Sequence, residues 1–213
     1  MPKNLLIVTG PQGSGNHLFS KIFSLHPAVF GWKDLVSSYW IPHEFEPFNH
    51  IWLSPEQWST LDIAPYEHAM TSISTPFVKL GKMQIPQFDK FISNAKSAGW
   101  NVQLAIIGRE KTIMKHQQTR LRGEHTYPVL ESILPQLMKY DPIFLSHELL
   151  MLYKRSYIQS LCNLIQIPID SGSIQIDEIL KNDQNSKYIN FLDEVEFDKT
   201  VLNMQAQTWK KGE

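Results

Sequence analysis

The residues Gly10-Pro11-Gln12-Gly13-Ser14-Gly15-Asn16-His17 are the part of this sequence best suited to hold an anion. They follow an apolar run, Asn4–Thr9, and precede a segment with apolar side chains at 18, 19, 22, 23 and 25, which is helical spacing. Glycines at such a junction let backbone N–H groups turn inward around a phosphate or sulfate, and the helix N-terminus adds its partial positive charge. Gly10 and Gly15 have the G-x-x-x-x-G spacing. In nucleotide triphosphatases the next two residues are Lys and Ser/Thr, which reach the β/γ-phosphates and Mg²⁺. Here Asn16 and His17 stand in those places, so the loop favours anion binding over hydrolysis of ATP or GTP. The other reading is a tight strand–helix turn with no ligand. Three glycines and a serine within six residues are more than turning alone requires.

The elements around the loop follow from periodicity. Asn4–Thr9 reads as a strand buried on both faces. The helix from Asn16 ends at His26-Pro27, because a residue before proline leaves the α region. Ala28–Trp32 reads as a second strand, which makes a βαβ unit and begins a parallel sheet. Residues 33–75 hold prolines at 42, 47, 55 and 65, and tryptophans 40, 52 and 58. They read as an irregular aromatic-rich insertion, either a lid or pocket wall or a cover for the core edge. Beyond it the pattern predicts a strand over Pro76–Leu80, a helix over Pro86–Ala98 and a strand over Asn101–Ile107. Helices over Glu110–Arg122 and Tyr127–Tyr140, a strand over Pro142–Ser146 and a helix over Leu149–Ile167 follow. The tail holds a helix at Asp177–Lys181 and a polar stretch at Asn182–Ser186. This alternation predicts one three-layer α/β/α domain over 1–213 with a mainly parallel central sheet, the insertion at 33–75 and a C-terminal extension at 170–213.

Composition narrows the function classes. A length of 213 residues suits one domain, and 42% hydrophobic residues with a net charge of −1 exclude a disordered chain. The near balance of 20 Lys+Arg against 21 Asp+Glu argues against a general nucleic-acid binder. No apolar run approaches the ~20 residues of a membrane span. Met1–Leu6 lacks a signal-peptide pattern, so cytoplasmic residence is expected. Cys162, in the apolar run Leu161–Leu164, reads as a small core hydrophobe. The eight histidines lack H-x-x-x-H spacing, so no metal site is expected.

Gly10-Pro11-Gln12-x-Ser14-Gly15, then a helix and Ser24-Leu25-His26-Pro27, resembles the 5′-phosphosulfate segment of sulfotransferases that use 3′-phosphoadenosine-5′-phosphosulfate (PAPS). The carbohydrate (heparan-type) branch is nearest, with its G-P-Q-K-[ST]-G-T loop and a helix ending in L-x-HP or M-HP. Leu104-Ala105-Ile106-Ile107-Gly108-Arg109 before a helix resembles that family's 3′-phosphate segment. Ile143–Leu150, with a helix ending in Leu164-Ile165-Gln166-Ile167-Pro168, resembles its strand, Y-E-D-L and F-L-G-[LI]-P segment. Order and spacing agree from residue 4 to residue 170.

The resemblance implies a P-loop NTPase-like fold and transfer of a sulfonate from PAPS to a hydroxyl of a carbohydrate or other small molecule. The product would be 3′-phosphoadenosine 5′-phosphate (PAP), with no metal and no nucleic-acid partner. By the same resemblance Gln12, Gly13, Ser14, Gly15, Asn16 and His17 cradle the 5′-phosphosulfate. Arg109 grips the 3′-phosphate, helped by Gln117 where the family has Ser. Gly13 replaces the family's loop Lys or Arg, and Lys79, Lys82 and His17 are the substitute donors at the sulfonate. Asp34 falls where the family places its Glu base, with His43, Glu44 and His50 as rivals. Glu148 anchors the following helix, and Trp32, Tyr39, Trp40, Trp52 and Trp58 line the acceptor site. Trp209-Lys210-Lys211-Gly212 is a fragment of the family's nucleotide-covering R-K-G…G-x-W-K element. Two alternatives stay open: a non-catalytic PAP- or nucleotide-binding protein of the same fold, which Gly13 favours, and a P-loop kinase-like phosphotransferase.

Overall fold

Leu5 and Ile7 alternate with Leu6 and Val8 along the first strand, and this period of two divides the protein into two cores. The structure, a computed structural model, describes residues 2–79, 81–122 and 126–181. β1 (Lys3–Gly10) is central in a five-stranded sheet. On one side it pairs with β3 (His68–Ser74), which pairs with β2 (Val29–Phe30). On the other side it pairs with β6 (Trp100–Gly108), which pairs with β7 (Ile143–Ser146). Every pairing is parallel, so helices must cross over the faces.

Leu5 and Ile7 face α3 (Asn49–Leu53), α4 (Phe88–Ser97) and α6 (Tyr127–Met138). Leu6 and Val8 face α1 (Asn16–Phe23), α7 (His147–Tyr153), α8 (Arg155–Leu161) and α9 (Gln175–Ile179). The result is an α/β fold of three layers with a parallel central sheet. α2 (Lys33–Val36) is a single turn after β2, and α5 (Lys111–Arg122) follows β6. Residues up to Lys181 form one compact unit. The stretches 182–186 and 209–212 lie outside the described residues. Among the described residues no helix is long and apolar enough to cross a membrane.

The structure corrects the sequence reading at four places. The end of the 33–75 insertion is β3, a central strand. Its polar residues Thr71 and Ser72, both buried, break the apolar run that marks a buried strand. The strand expected over 76–80 is instead one arm of a hairpin, β4 (Phe77–Lys79) with β5 (Lys82–Gln84), separate from the main sheet. The helix expected over 149–167 is divided at Lys154, whose φ of 47° ends α7 before α8 begins. Cys162 is exposed at the end of α8, because the buried stripe of that helix runs through Ile158 and Leu161.

The tryptophans of the insertion separate by role. Trp52 stacks on Phe91 at 3.7 Å, and Trp58 meets the edge of the same ring at 5.3 Å. Phe91 is fully buried between them and the sheet. Phe91→Ala is expected to lower stability by about 3–5 kcal/mol in urea unfolding. A loss below about 1 kcal/mol would mean that the insertion is not packed on α4 in this way.

Candidate functional site

β1 sits where the chain turns from building one side of the sheet to building the other. Ligands of parallel α/β sheets bind in the crevice beyond the strand ends at such a switch point. The loop Gly10–Gly15 occupies that place. Its start is tied down by Thr9, whose Oγ1 donates to the Ile73 carbonyl at 2.8 Å, and by the Thr75 N–H, which donates to the Gly10 carbonyl at 2.9 Å. The Ser14 N–H closes a turn on the Pro11 carbonyl at 3.0 Å, so it is already used as a donor.

Gly15 lies at φ 114°, a conformation that glycine adopts without strain. A Cβ there would stand 2.9 Å from Cδ2 of the buried His147. Gly13, at φ 85°, has its missing Cβ 3.2 Å from Oε1 of Gln117. A residue with a side chain in its place would be strained and would push on Gln117.

α5 braces the loop from the far side. Arg109, 8% exposed, donates through its guanidinium to the Gly13 carbonyl and to Gln117 Oε1 at 2.7 Å. Gln118 Nε2 donates to the Gln12 carbonyl, and its Oε1 accepts from the Thr126 N–H at 2.7 Å. Gln118 escaped the sequence reading, although it adjoins Gln117. Of the loop side chains, Asn16 Nδ2 donates to Ser74 Oγ at 2.9 Å. Ser14 Oγ, Gln12 Oε1 and Asn16 Oδ1 are buried and have no hydrogen-bond partner among the described residues. Such atoms ask for a ligand or water. The Ser14 hydroxyl is a donor, and the Gln12 amide offers N–H₂ in place of oxygen by a half-turn.

Beside the loop lies a cavity of about 500 Å³ that Gln12 and Ser74 share with it. Its walls come from β3, α3, the turn His43–Phe45 and β4. Lys79 lines it, whereas Lys82, opposite Lys79 in the hairpin, is exposed and outside the lining. Trp40 and Trp52 are on the wall. Trp32 and Trp58 are buried in the protein, and Tyr39 is exposed without reaching the cavity.

His17 does not face the loop. Its Nε2 donates to the Ile41 carbonyl at 2.8 Å, and its ring stacks on Trp40 and meets His43 edge-on. Burial lowers its pKa against the raising effect of that carbonyl. It therefore positions the segment before the cavity, where the sequence reading expected it beside the loop. Lys21 helps, donating to the Ser38 carbonyl at 2.5 Å and the Tyr39 carbonyl at 3.1 Å. Burial holds His43 at about 3, assisted by His17. Burial, with the nearby charge of Arg109, holds His147 at about 3.

Asp34 is exposed on α2 and not among the cavity residues. Glu44 reaches the wall, but His50 does not. Glu148 accepts from the Glu110 N–H at 2.8 Å and so joins α7 to the start of α5. The carboxyl buried in the cavity wall is Glu46, 4% exposed and passed over in the sequence. Its Oε1 accepts from Thr71 Oγ1 at 2.8 Å and from the Ser72 N–H at 3.4 Å. Its Oε2 accepts from the Phe48 N–H at 2.8 Å. Trp52 Nε1 extends the chain by donating to Thr71 Oγ1 at 2.9 Å. Burial pushes the Glu46 pKa up to about 8, outweighing these hydrogen bonds. A carboxylate inside the run Phe45-Glu46-Pro47-Phe48 was the available signal.

Comparison with family models, curated proteins and solved structures finds no match to this chain.

The raised carboxyl fixes a pH dependence. Folded Glu46 keeps its proton up to about 8, while the unfolded group loses it near 4.5. The native state therefore binds the extra proton between those values, and stability falls as pH rises through them, by at most about 1.4 kcal/mol per unit. His17, His43 and His147, lowered by burial, act oppositely and only below their ordinary value of 6.5. Stability is thus expected to fall between pH 6.5 and pH 8, and Glu46→Gln to flatten that slope whatever its absolute stability. An unchanged slope in the variant would place the titrating group elsewhere.

Proposed function

We propose that the chain is a P-loop-type sulfotransferase that moves the sulfonate of PAPS to a small acceptor held in the cavity beside the loop. The observation that carries this reading is the loop after β1. It presents a buried Ser14 hydroxyl, without a partner among the described residues, at a helix N-terminus, with the buried Arg109 charge beside it. Negative charge develops on the sulfonate and on the leaving phosphate during transfer, and such donors stabilise it. The cavity meets the loop at Gln12 and Ser74, which brings an acceptor toward the sulfur.

In this reading the 5′-phosphosulfate rests on the Ser14 hydroxyl and the backbone amides at the start of α1. Arg109 braces Gly13 and takes the 3′-phosphate, and Lys79 supplies the cation that Gly13 does not. Glu46 replaces Asp34 as the base, because it is the carboxyl buried in the cavity wall. A raised pKa makes its ionised form a stronger proton acceptor. The acceptor loses a proton to Glu46 and its lone pair attacks sulfur. The bond from sulfur to the bridging oxygen breaks, and PAP leaves with that electron pair. A second reading, PAP binding without transfer, is favoured by the absence of a loop cation at Gly13.

Calorimetry tests both. The protein is expected to bind PAP one-to-one, with Arg109→Ala weakening PAP roughly 10- to 100-fold through loss of a charge-assisted contact. Adenosine 5′-phosphosulfate, which has no 3′-phosphate, should lose less. Equal losses would leave Arg109 as a loop brace only. Binding of neither PAP nor PAPS would refute the nucleotide site, and PAP binding without turnover of PAPS would select the second reading.

A further inference from the structure

The cavity beside the loop is walled mainly by apolar groups, among them Trp40, Trp52, Ile73 and Phe77. Its volume of about 500 Å³ is that of a small-molecule site. Into this apolar wall Glu46 presents a carboxyl bonded only to neutral donors, the Thr71 hydroxyl and the N–H groups of Phe48 and Ser72. Among the described residues it takes part in no ion pair. A carboxylate taken out of water is strongly destabilising unless a cation with N–H donors meets it.

The other charged or titratable groups on the wall are His43 and Glu44 from the adjoining turn and Lys79 from β4. α3 and β3 present neutral side chains there, Asn49, Trp52, Leu53, Ser72, Ile73 and Ser74. His43 is held neutral by burial. With Glu46 ionised, two carboxylates face one lysine, and the wall is net negative. A ligand with one positive charge complements it. A neutral alcohol leaves the carboxylate without a counter-charge, and an acid is repelled. An ammonium group supplies three donors, and aromatic faces attract it further.

We propose that this cavity binds a small primary amine, with its ammonium group on the Glu46 carboxylate and its apolar body against Trp40 and Trp52. The binding stands on the cavity alone, and its chemical use rests on the sulfonate-transfer reading above. In that use the ammonium gives one proton to Glu46, and the nitrogen lone pair forms the N–S bond. The S–O bond to the 5′-phosphate breaks, and PAP takes the electron pair. The second N–H proton goes to solvent, leaving a sulfamate. The acceptor is then an amine, where the sequence resemblance implies a hydroxyl.

The test is titration calorimetry of the full chain, without nucleotide, using 2-phenylethylamine, 2-phenylethanol and 3-phenylpropanoate as probes. At pH 8 the amine is expected to bind at least about tenfold tighter than the alcohol, and the acid not to bind. At pH 7, titrations in two buffers of different ionisation heat should show proton release, because the ammonium displaces the proton that Glu46 holds there. Glu46→Gln should abolish both the preference and the release. If that variant does not fold, the wild-type proton count decides alone. Equal binding of alcohol and amine, amine binding without proton release, or no amine binding overturns the proposal. PAP is titrated separately on the same protein. PAP binding without amine binding rejects the amine site only, and amine binding without PAP binding rejects the sulfonate reading only.

Discussion

The hydrogen bonds that Arg109 and Gln118 send into the loop after β1 hold the site in its shape. They fasten the carbonyls of Gly13 and Gln12 toward α5. In a trans peptide the N–H points opposite to the carbonyl, so fastening the Gln12 carbonyl aims the Gly13 N–H away from α5. A loop rich in glycine has many conformations to lose on ordering, and a buried charged donor on one carbonyl is a strong way to select one of them. The Gly10 carbonyl is fixed from the opposite side by the Thr75 N–H, which joins the loop to β3. The loop is thus held between α5 and the end of a neighbouring strand.

β3 couples this loop to the cavity. Ser74 accepts from Asn16 of the loop, while Thr71 and Ser72 donate to Glu46 in the cavity wall. Small polar side chains at the strand end serve both places. They remove the apolar signature from the strand and bring a carboxyl and a loop into one crevice. The insertion completes the arrangement. Trp52 and Phe91 anchor it in the core, and His17 and Lys21 of α1 hold its chain from Ser38 to Ile41. Proximity of an acceptor and a bound donor accounts for a large part of the barrier lowered in group transfer.

Much of this was legible from residues alone. β1, the loop and α1 follow from an apolar run, glycine spacing and helical period, which are local signals. Arg109 and Gln117 were expected at a 3′-phosphate by resemblance alone, and the contact they make with Gly13 of the loop was not foreseen. β3 was not legible, because its contribution to the core rests on Ala69, Met70 and Ile73 around polar residues whose partners lie elsewhere in the chain. Glu46 was missed for the same reason. Whether a carboxylate is exposed or buried is decided by what packs over it, here Thr71 and Ser72 from β3 with Trp52 from α3. Asp34 had the expected spacing after a strand and lacks such surroundings. His17 shows that a residue can sit at the expected place and face the other way.

In the proposed complex the loop after β1 receives the phosphate end of an adenosine nucleotide whose 3′-phosphate lies near Arg109. A crystal structure of the protein soaked with PAP tests it most directly. The 5′-phosphate is expected on the Ser14 hydroxyl and the amides of Gly13, Gly15 and Asn16, with the 3′-phosphate on the Arg109 guanidinium and the cavity at Glu46 open for an acceptor. Nucleotide bound away from the loop, or a loop left empty at saturating PAP, would contradict it.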